Sequence, residues 1–200
     1  MIKNIIFDFG DIFINLDKQV VFNAFVDQGM ETFPPKYFRL NEEFEVGKIS
    51  SAEFITQLQS EFNQLSPEEI TAIWNSMLKD FPAYRLNFIE ELAAQKKYRL
   101  FLLSNTNALH IPHVEEIMGK DRFNRFKNCF EQFYLSHEIQ LRKPNEEIYE
   151  FVLDQNNLQA NETLFIDDTL ENTEAAATLG IKTWHLQVGK EDIVDLKTRL

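Results

Sequence analysis

The segment IKNIIFDFGD, residues 2–11, decides how the rest of the chain is read. Its apolar residues run on without the strict alternation of a half-exposed strand. The run is then broken by an acid, Asp8, and by Gly10 and Asp11. A short run of this kind is expected of a strand buried on both faces of a parallel sheet and ending in a polar turn. Four more runs follow the same pattern: residues 98–103 (YRLFLL) lead into Ser104-Asn105-Thr106-Asn107, and residues 163–166 (TLFI) lead into Asp167-Asp168-Thr169. Residues 130–135 and 181–186 are the other two. Helical spacing fills the intervals. Leu86, Ile89 and Leu92 mark a helix over 84–97, and Ile148, Phe151 and Val152 mark one over 144–156 with Pro144 at its favoured start. A third, over 170–179, closes at Gly180. Strands alternating with helices predict an α/β fold with a parallel sheet between helices.

One interval breaks the rhythm. A βα loop normally spans about 2–6 residues, yet roughly 70 separate Phe13 from the helix at Tyr84. That stretch carries helical patterns of its own: Val20/Val21/Ala24/Phe25, Phe54/Ile55/Leu58/Phe62 and Ile70/Ile73/Trp74/Met77. The last opens with Ser66-Pro67-Glu68-Glu69, a capping-box start. The expected organisation is a core of residues 1–14 and 85–200 with a helical cap, residues 15–84, inserted over the sheet.

Composition narrows the partners. The 200 residues are 44% hydrophobic and 26% charged, with 19 Phe against 6 Gly and 6 Pro, which excludes a disordered chain. A net charge of −12 argues against binding nucleic acid or an anionic membrane, because neutralising phosphates requires clustered Lys and Arg. No apolar run approaches the roughly 20 residues that span a bilayer, and the run at Ile5-Ile6-Phe7 is too short for a signal peptide. The single cysteine, Cys129, forbids an intrachain disulfide and fits a reducing cytoplasm.

In open parallel sheets ligands bind beyond the carboxyl ends of the strands. There the chain places Asp8, Ser104-Asn105 and Asp167-Asp168, with Lys143 in the stretch after the third strand. Clustered carboxylates tolerate one another around a cation, and oxygen ligands favour Mg²⁺. Ser104 and Asn105 are read as preceding a helix, whose first N–H groups would favour a phosphate. His110 and His113 are spaced like a metal pair but lack a third ligand nearby, and His137 and His185 are read as structural. Phe44, beside Glu45 and Gly47, is expected to face the crevice.

Four blocks in order, FDFG (7–10), LLSNTN (102–107), RKP (142–144) and FIDDTLEN (165–172), resemble the haloacid dehalogenase superfamily of hydrolases, in the branch with a helical cap after the first block. EVGKIS (45–50), LLSNTN-x-x-H (102–110) and YLSHEIQLRKP-x-x-x-IY (134–149) are similar to the bacterial α-D-glucose-1-phosphate phosphatases within it. The resemblance implies a Rossmann-like fold and an Mg²⁺-dependent phosphatase acting on a small phosphorylated metabolite, such as a sugar 1-phosphate. By that resemblance Asp8 is the nucleophile and a metal ligand, Gly10 lends its carbonyl to the metal, and Asp168 is a further ligand. Asp167 and Asn172 orient that ligand or bind metal-held water. Ser104 and Asn105 hold the phosphoryl oxygens, and Lys143 neutralises both Asp8 and the phosphate.

Gly10 departs from the superfamily, whose phosphatases usually carry a general-acid aspartate two residues after the nucleophile; here Asp11 lies one further on. The alternatives are a metal-independent dehalogenase attacking carbon through Asp8, a catalytically retired binding protein of the same fold, and a receiver-like phosphoacceptor. The pair at 167–168 argues against the dehalogenase, since uncompensated carboxylates repel an anionic haloacid. A large cap argues against a module that must dock a kinase.

Overall fold

A computed structural model describes residues 1–29 and 35–200. In chain order the elements begin with β1 (Asn4–Phe7), followed by α1 (Lys18–Asp27), α2 (Pro35–Glu45), α3 (Ser51–Gln59) and α4 (Pro67–Asn75). Next come α5 (Ala83–Ala94), β2 (Arg99–Ser104), α6 (His110–Met118), α7 (Lys120–Lys127), β3 (Gln132–Leu135) and α8 (Ser136–Ile139). The chain continues with α9 (Glu146–Asn156), β4 (Thr163–Asp167), α10 (Leu170–Thr178) and β5 (Lys182–His185).

The strands form one parallel sheet in the order β3-β2-β1-β4-β5. β1 is central, and its residues alternate between two apolar layers. Ile5 and Phe7 join Leu100, Leu102, Leu164 and Ile166 under α5, α6 and α7; Ile6 joins Phe101, Leu103 and Phe165 under α9 and α10. Burial on both faces explains the continuous apolar runs. The first layer is unusually aromatic: Phe126 lies 5.0 Å, ring centre to ring centre, from each of Phe13, Phe81 and Phe130. Register places the chemistry. Phe7 pairs with Leu102 and with Ile166, so Asp8, Ser104 and Asp167 all emerge at the same edge.

The helices α1 to α4 enclose a separate apolar cluster of Val21, Phe25, Leu40, Phe44, Phe54, Leu58, Phe62, Ile70 and Trp74. Phe44 stacks on Phe54 at 4.3 Å, so it belongs to this cluster and does not face the crevice: a fully apolar ring is driven into the aromatic interior. Both α3 and α4 start with complete capping boxes, Ser50/Glu53 and Ser66/Glu69. The two segments joining these helices to the sheet run antiparallel, with Asp17 N–H donating to Met77 O (2.8 Å), Asn15 N–H to Asp80 O (3.0 Å) and Lys79 N–H to Asn15 O (2.9 Å). Arg85 fastens them to the sheet side by donating to Phe13 O, Asn15 Oδ1 and Asp192.

One local expectation is corrected. The helix expected from Pro144 begins at Glu146, with Asn145 before it; Pro144 follows a cis peptide and stays outside. The helix expected to follow Ser104-Asn105 begins at His110, where Asn107 Oδ1 accepts from the N–H groups of Leu109 and His110 (both 3.0 Å).

Candidate active site

At the carboxyl edge a cavity of about 350 Å³ lies between the sheet and the inserted helices. Asp8, the residue after β1, is fixed by its N–H donating to Ile166 O (2.9 Å). Lys143 is buried, and its Nζ donates to Asp8 Oδ1 (2.6 Å) and to Asp167 Oδ2 (2.7 Å). The backbone of Lys143 is clamped by the Asn105 amide in both directions: Lys143 N–H donates to Oδ1 and Nδ2 donates to Lys143 O, both at 2.9 Å. The Asn105 side chain thus positions Lys143, which leaves only its backbone for a phosphate.

Asp167 and Asp168 are adjacent but differently placed. Asp167 Oδ1 accepts from Thr169 N–H (2.8 Å) and Asn172 Nδ2 (3.0 Å), and Oδ2 accepts from Asn172 and Lys143. Asn172 therefore orients Asp167 and makes no hydrogen bond to Asp168. Asp168 lines the cavity, with Lys18 Nζ 4.0 Å away. Its carbonyl lies 2.9 Å from His185 Nε2, which supports the turn. Ser104 is buried at the end of β2, and among the described residues its Oγ meets only the Asn105 carbonyl, at 3.5 Å. Ser136 Oγ bridges the Thr106 backbone, accepting from its N–H (2.9 Å) and donating to its carbonyl (3.0 Å). Nothing in the local sequence marks Ser136 for this role.

Electrostatics follow from this crowding. Burial, opposed by Lys143 and reinforced by Asp167 and Asp168, pushes the Asp8 carboxyl up to about 7. Burial works against the Lys143 charge, but Asp167 and Asp8 outweigh it and hold the ammonium above its ordinary value. Burial also raises Asp168. Asp8, Asp167 and Asp168 can each bring one carboxylate oxygen within 4.8 Å of the others. Three carboxylates around one buried ammonium leave negative charge uncompensated, and an all-oxygen donor set suits a hard divalent ion. The residues present therefore fit Mg²⁺.

Gly10 lines the cavity, and a Cβ there would lie 2.7 Å from Leu16 Cδ1. Asp11 adopts φ 53°, and its Oδ1 accepts from Leu16 N–H at 2.9 Å, so its carboxylate is tied to the turn. The far wall holds residues to which sequence reading gave no role: Asn41, Trp74 and Arg142. Arg142 donates to Glu45 Oε2 (3.1 Å) and Glu42 Oε1 (3.2 Å), and Asn41 Nδ2 donates to Glu45 Oε1 (3.0 Å). Gly47, at φ +65°, passes so close to the His137 carbonyl that a side chain would not fit. That approach seats the end of α2 against α8. Of the two spaced histidines, His110 is buried in the cavity wall and His113 pairs with Glu116 at the surface.

A family model for haloacid dehalogenase-like hydrolases matches residues 5–186. The chain is 30% identical over 197 residues to a D-ribitol-5-phosphate phosphatase of Bacteroides thetaiotaomicron, covering 96% of this chain and 95% of that one. A magnesium complex of a haloacid dehalogenase family enzyme from the same organism superposes with a TM-score of 0.85 at 34% identity, over 95% of this chain and 96% of that one. A wild-type complex of that enzyme with magnesium and inorganic phosphate gives 0.81 at 32% identity, over 96% and 97%. With the sheet order, the carboxylate set and these matches in agreement, the chain belongs to the haloacid dehalogenase-like hydrolases and is an enzyme of that family.

Proposed function

We propose that the protein is an Mg²⁺-dependent phosphatase that hydrolyses the phosphate ester of a small hydroxylated metabolite, a sugar 1-phosphate or a sugar-alcohol phosphate, through an aspartyl-phosphate on Asp8. The observation that carries this reading is the Lys143 ammonium bridging Asp8 and Asp167, which leaves Asp8 Oδ2 with no hydrogen bond from the described residues. A carboxylate held by one oxygen presents the other to an electrophile. Residues 15–84 form the cap in this reading, and residues 1–14 with 85–200 form the core. The single Cys129 and the acidic chain fit a cytoplasmic enzyme without nucleic-acid or membrane partners. None of the described helices is long and apolar enough to cross a membrane.

Asp8 Oδ2 attacks phosphorus, and the bond from phosphorus to the ester oxygen breaks with its electron pair on that oxygen. The departing oxygen takes a proton from water, since Gly10 has none to give. A second water then attacks phosphorus and gives its proton to the hydroxide the first water left, the phosphorus–Asp8 bond breaks with its electron pair on the Asp8 oxygen, and inorganic phosphate leaves with the carboxylate restored. Ser104 Oγ and the Asn105 N–H hold the phosphoryl oxygens. Lys143 stays charged throughout and acts by position and charge. Asp8, the Gly10 carbonyl and Asp168 would hold Mg²⁺, with Asp167 and Asn172 behind them; the bound ion would neutralise the phosphoryl oxygens.

Two observations bear on the ester. Gly10 favours leaving groups that depart without a general acid, such as an anomeric oxygen. The D-ribitol-5-phosphate phosphatase relative favours the ester of a primary alcohol. Phosphate release from glucose 1-phosphate, glucose 6-phosphate, D-ribitol 5-phosphate and 2-haloacids, each with and without Mg²⁺, tests the reading. Phosphate release that depends on Mg²⁺ is expected, and halide release that persists in excess EDTA would replace it with the dehalogenase. No turnover of any ester would leave the retired binding protein.

A further inference from the structure

Among the described residues, three cations line the cavity that holds Asp8, and each is engaged within the protein. Lys143 is shared between Asp8 and Asp167, and Lys18 Nζ lies 4.0 Å from Asp168 Oδ2. Arg142 differs, because its partners lie outside the cluster around Asp8. Its Nε and Nη2 donate to Glu45 Oε2 (3.2 and 3.1 Å), and its Nη1 donates to Glu42 Oε1 (3.2 Å). Both glutamates belong to α2, whereas Arg142 precedes Lys143 on the sheet side. Among the described residues, these are the only hydrogen bonds between side chains that cross from α1–α4 to the sheet side.

The pairing is held in place. Asn41 Nδ2 donates to Glu45 Oε1 (3.0 Å), so both oxygens of that carboxylate are engaged. The Arg142 and Glu45 side chains are only 24% and 16% exposed, and an ion pair sheltered in this way is screened far less than one at the surface. Its effect is to offset the positive charge of Arg142 where that residue lines the cavity. A further acid stands at the same cavity: Glu171, in the first turn of α10, is exposed and meets no cation among the described residues. Four carboxylates, Asp8, Glu45, Asp168 and Glu171, thus line the cavity against three cations.

A phosphate ester brings its own negative charge to the edge at Asp8. A second anionic group, on the alcohol part, would meet Glu45 and Glu171 and would have no uncommitted cation to pair with. A hydroxyl group meets no such opposition. We propose that Glu45, by holding Arg142, and Glu171, by its unpaired charge, are specificity-determining residues that reject phosphate esters bearing a second anionic group and so select an uncharged alcohol part. Selection of this kind works through what the wrong ligand cannot pair with. The proposal rests on the phosphatase reading and narrows its substrate class.

The test compares kcat/KM for D-ribitol 5-phosphate with that for 5-phospho-D-ribonate, the same chain with a carboxylate in place of the terminal hydroxymethyl group, using the Mg²⁺-loaded protein. The wild type is expected to favour the ribitol ester by about tenfold or more, because like charges brought together oppose binding. Glu45→Gln keeps the shape of the side chain and removes the charge that offsets Arg142. It should reduce the preference about tenfold, chiefly through the KM of the ribonate ester, as the released guanidinium pairs with the new carboxylate. Glu45→Asp, which keeps the charge, should retain most of the preference. Glu171→Gln, at an exposed position, should reduce it about threefold, and high salt should shrink that effect. p-Nitrophenyl phosphate turnover reports that each variant is folded. An unchanged preference in both Gln variants would make the Arg142 pair a fastening of α2 and overturn the proposal alone. A wild type that favours the ribonate ester would overturn it equally. Failure of the wild-type protein to hydrolyse any of the three esters would remove the phosphatase reading, and this proposal with it.

Discussion

The edge of the sheet and the inserted helices face each other across one cavity, and they are built on opposite principles. On the sheet side charge is buried and locked: Lys143, Asp8 and Asp167 form a chain of short contacts, each carried by a separate strand end or loop. On the helical side the interior is a cluster of aromatic rings, and what reaches the cavity is an indole, an amide and a carboxylate already paired with Arg142. Charges that stabilise a transferring phosphoryl group must be in place before reaction, because reorganising them would cost the stabilisation they supply. Recognition of a neutral chain needs only donors, acceptors and shape. Under the proposed function the contrast gives chemistry to the sheet edge and selection to the inserted helices, and it can be broken by experiment.

The largest expected effect is at the nucleophile. Asp8→Asn should lower turnover by about 10⁴-fold or more while circular dichroism stays native, since removing a nucleophile ends covalent catalysis. Near-normal rates in a folded variant would move the chemistry away from the sheet edge. Removing the metal should be comparably severe: EDTA is expected to abolish phosphate release and Mg²⁺ to restore it, with Ca²⁺ inhibiting through its looser coordination. Lys143→Ala comes next. It leaves Asp8 and Asp167 buried without their shared cation, and breaking a buried pair costs about 3–5 kcal/mol, read as a lower Tm alongside lost activity.

Gly10→Asp sharpens the comparison, because it places an acid in the cavity wall. The new Cβ meets Leu16 Cδ1 at 2.7 Å, the mobile end of a side chain, so Leu16→Ala is the companion change. The double variant should narrow the rate gap between 1- and 6-phosphates. Asp11→Asn should cost less than about tenfold, because Asp11 holds the Leu16 N–H; a loss of about 10²-fold would make Asp11 the general acid.

A separate effect, on stability and not on rate, appears in acid. His110 has a pKa near 4 folded against 6.5 as its ordinary value. The unfolded chain thus binds the extra proton first, so stability contributed by neutral His110 is present above pH 6.5 and is lost as pH falls toward 4. The loss is on the order of 3 kcal/mol. Denaturant midpoints for wild type and His110→Phe should converge over that window, and parallel curves would mean that His110 does not titrate as a buried neutral ring.

The strands, most helices and the polar residues at the strand ends were legible in the sequence because their signals are local. An apolar run cut by a polar pair marks a strand end, and Ser66 with Glu69 closes a capping box within four residues. α2 escaped notice because its polar surface residues dilute any apolar period, and the start of α9 was misplaced because a proline next to a helix does not state which side of the boundary it occupies. Sequence alone could not separate Asp167 from Asp168. Strand alternation and the docking of α10 decided it, turning Asp167 onto Lys143 and Asn172 and leaving Asp168 at the cavity. The cavity wall was equally invisible. Arg142 meets Glu45 across 97 positions of chain, and Trp74 on α4 stacks against His110 at the start of α6, contacts that only the fold brings about. Sequence by itself determined the parallel α/β frame and marked the residues that carry the proposed phosphoryl transfer, since both rest on spacing within a few residues. Tertiary structure alone decided which carboxylate is sequestered, which amide clamps the lysine and which glutamate meets Arg142, because those depend on contacts that no local spacing encodes.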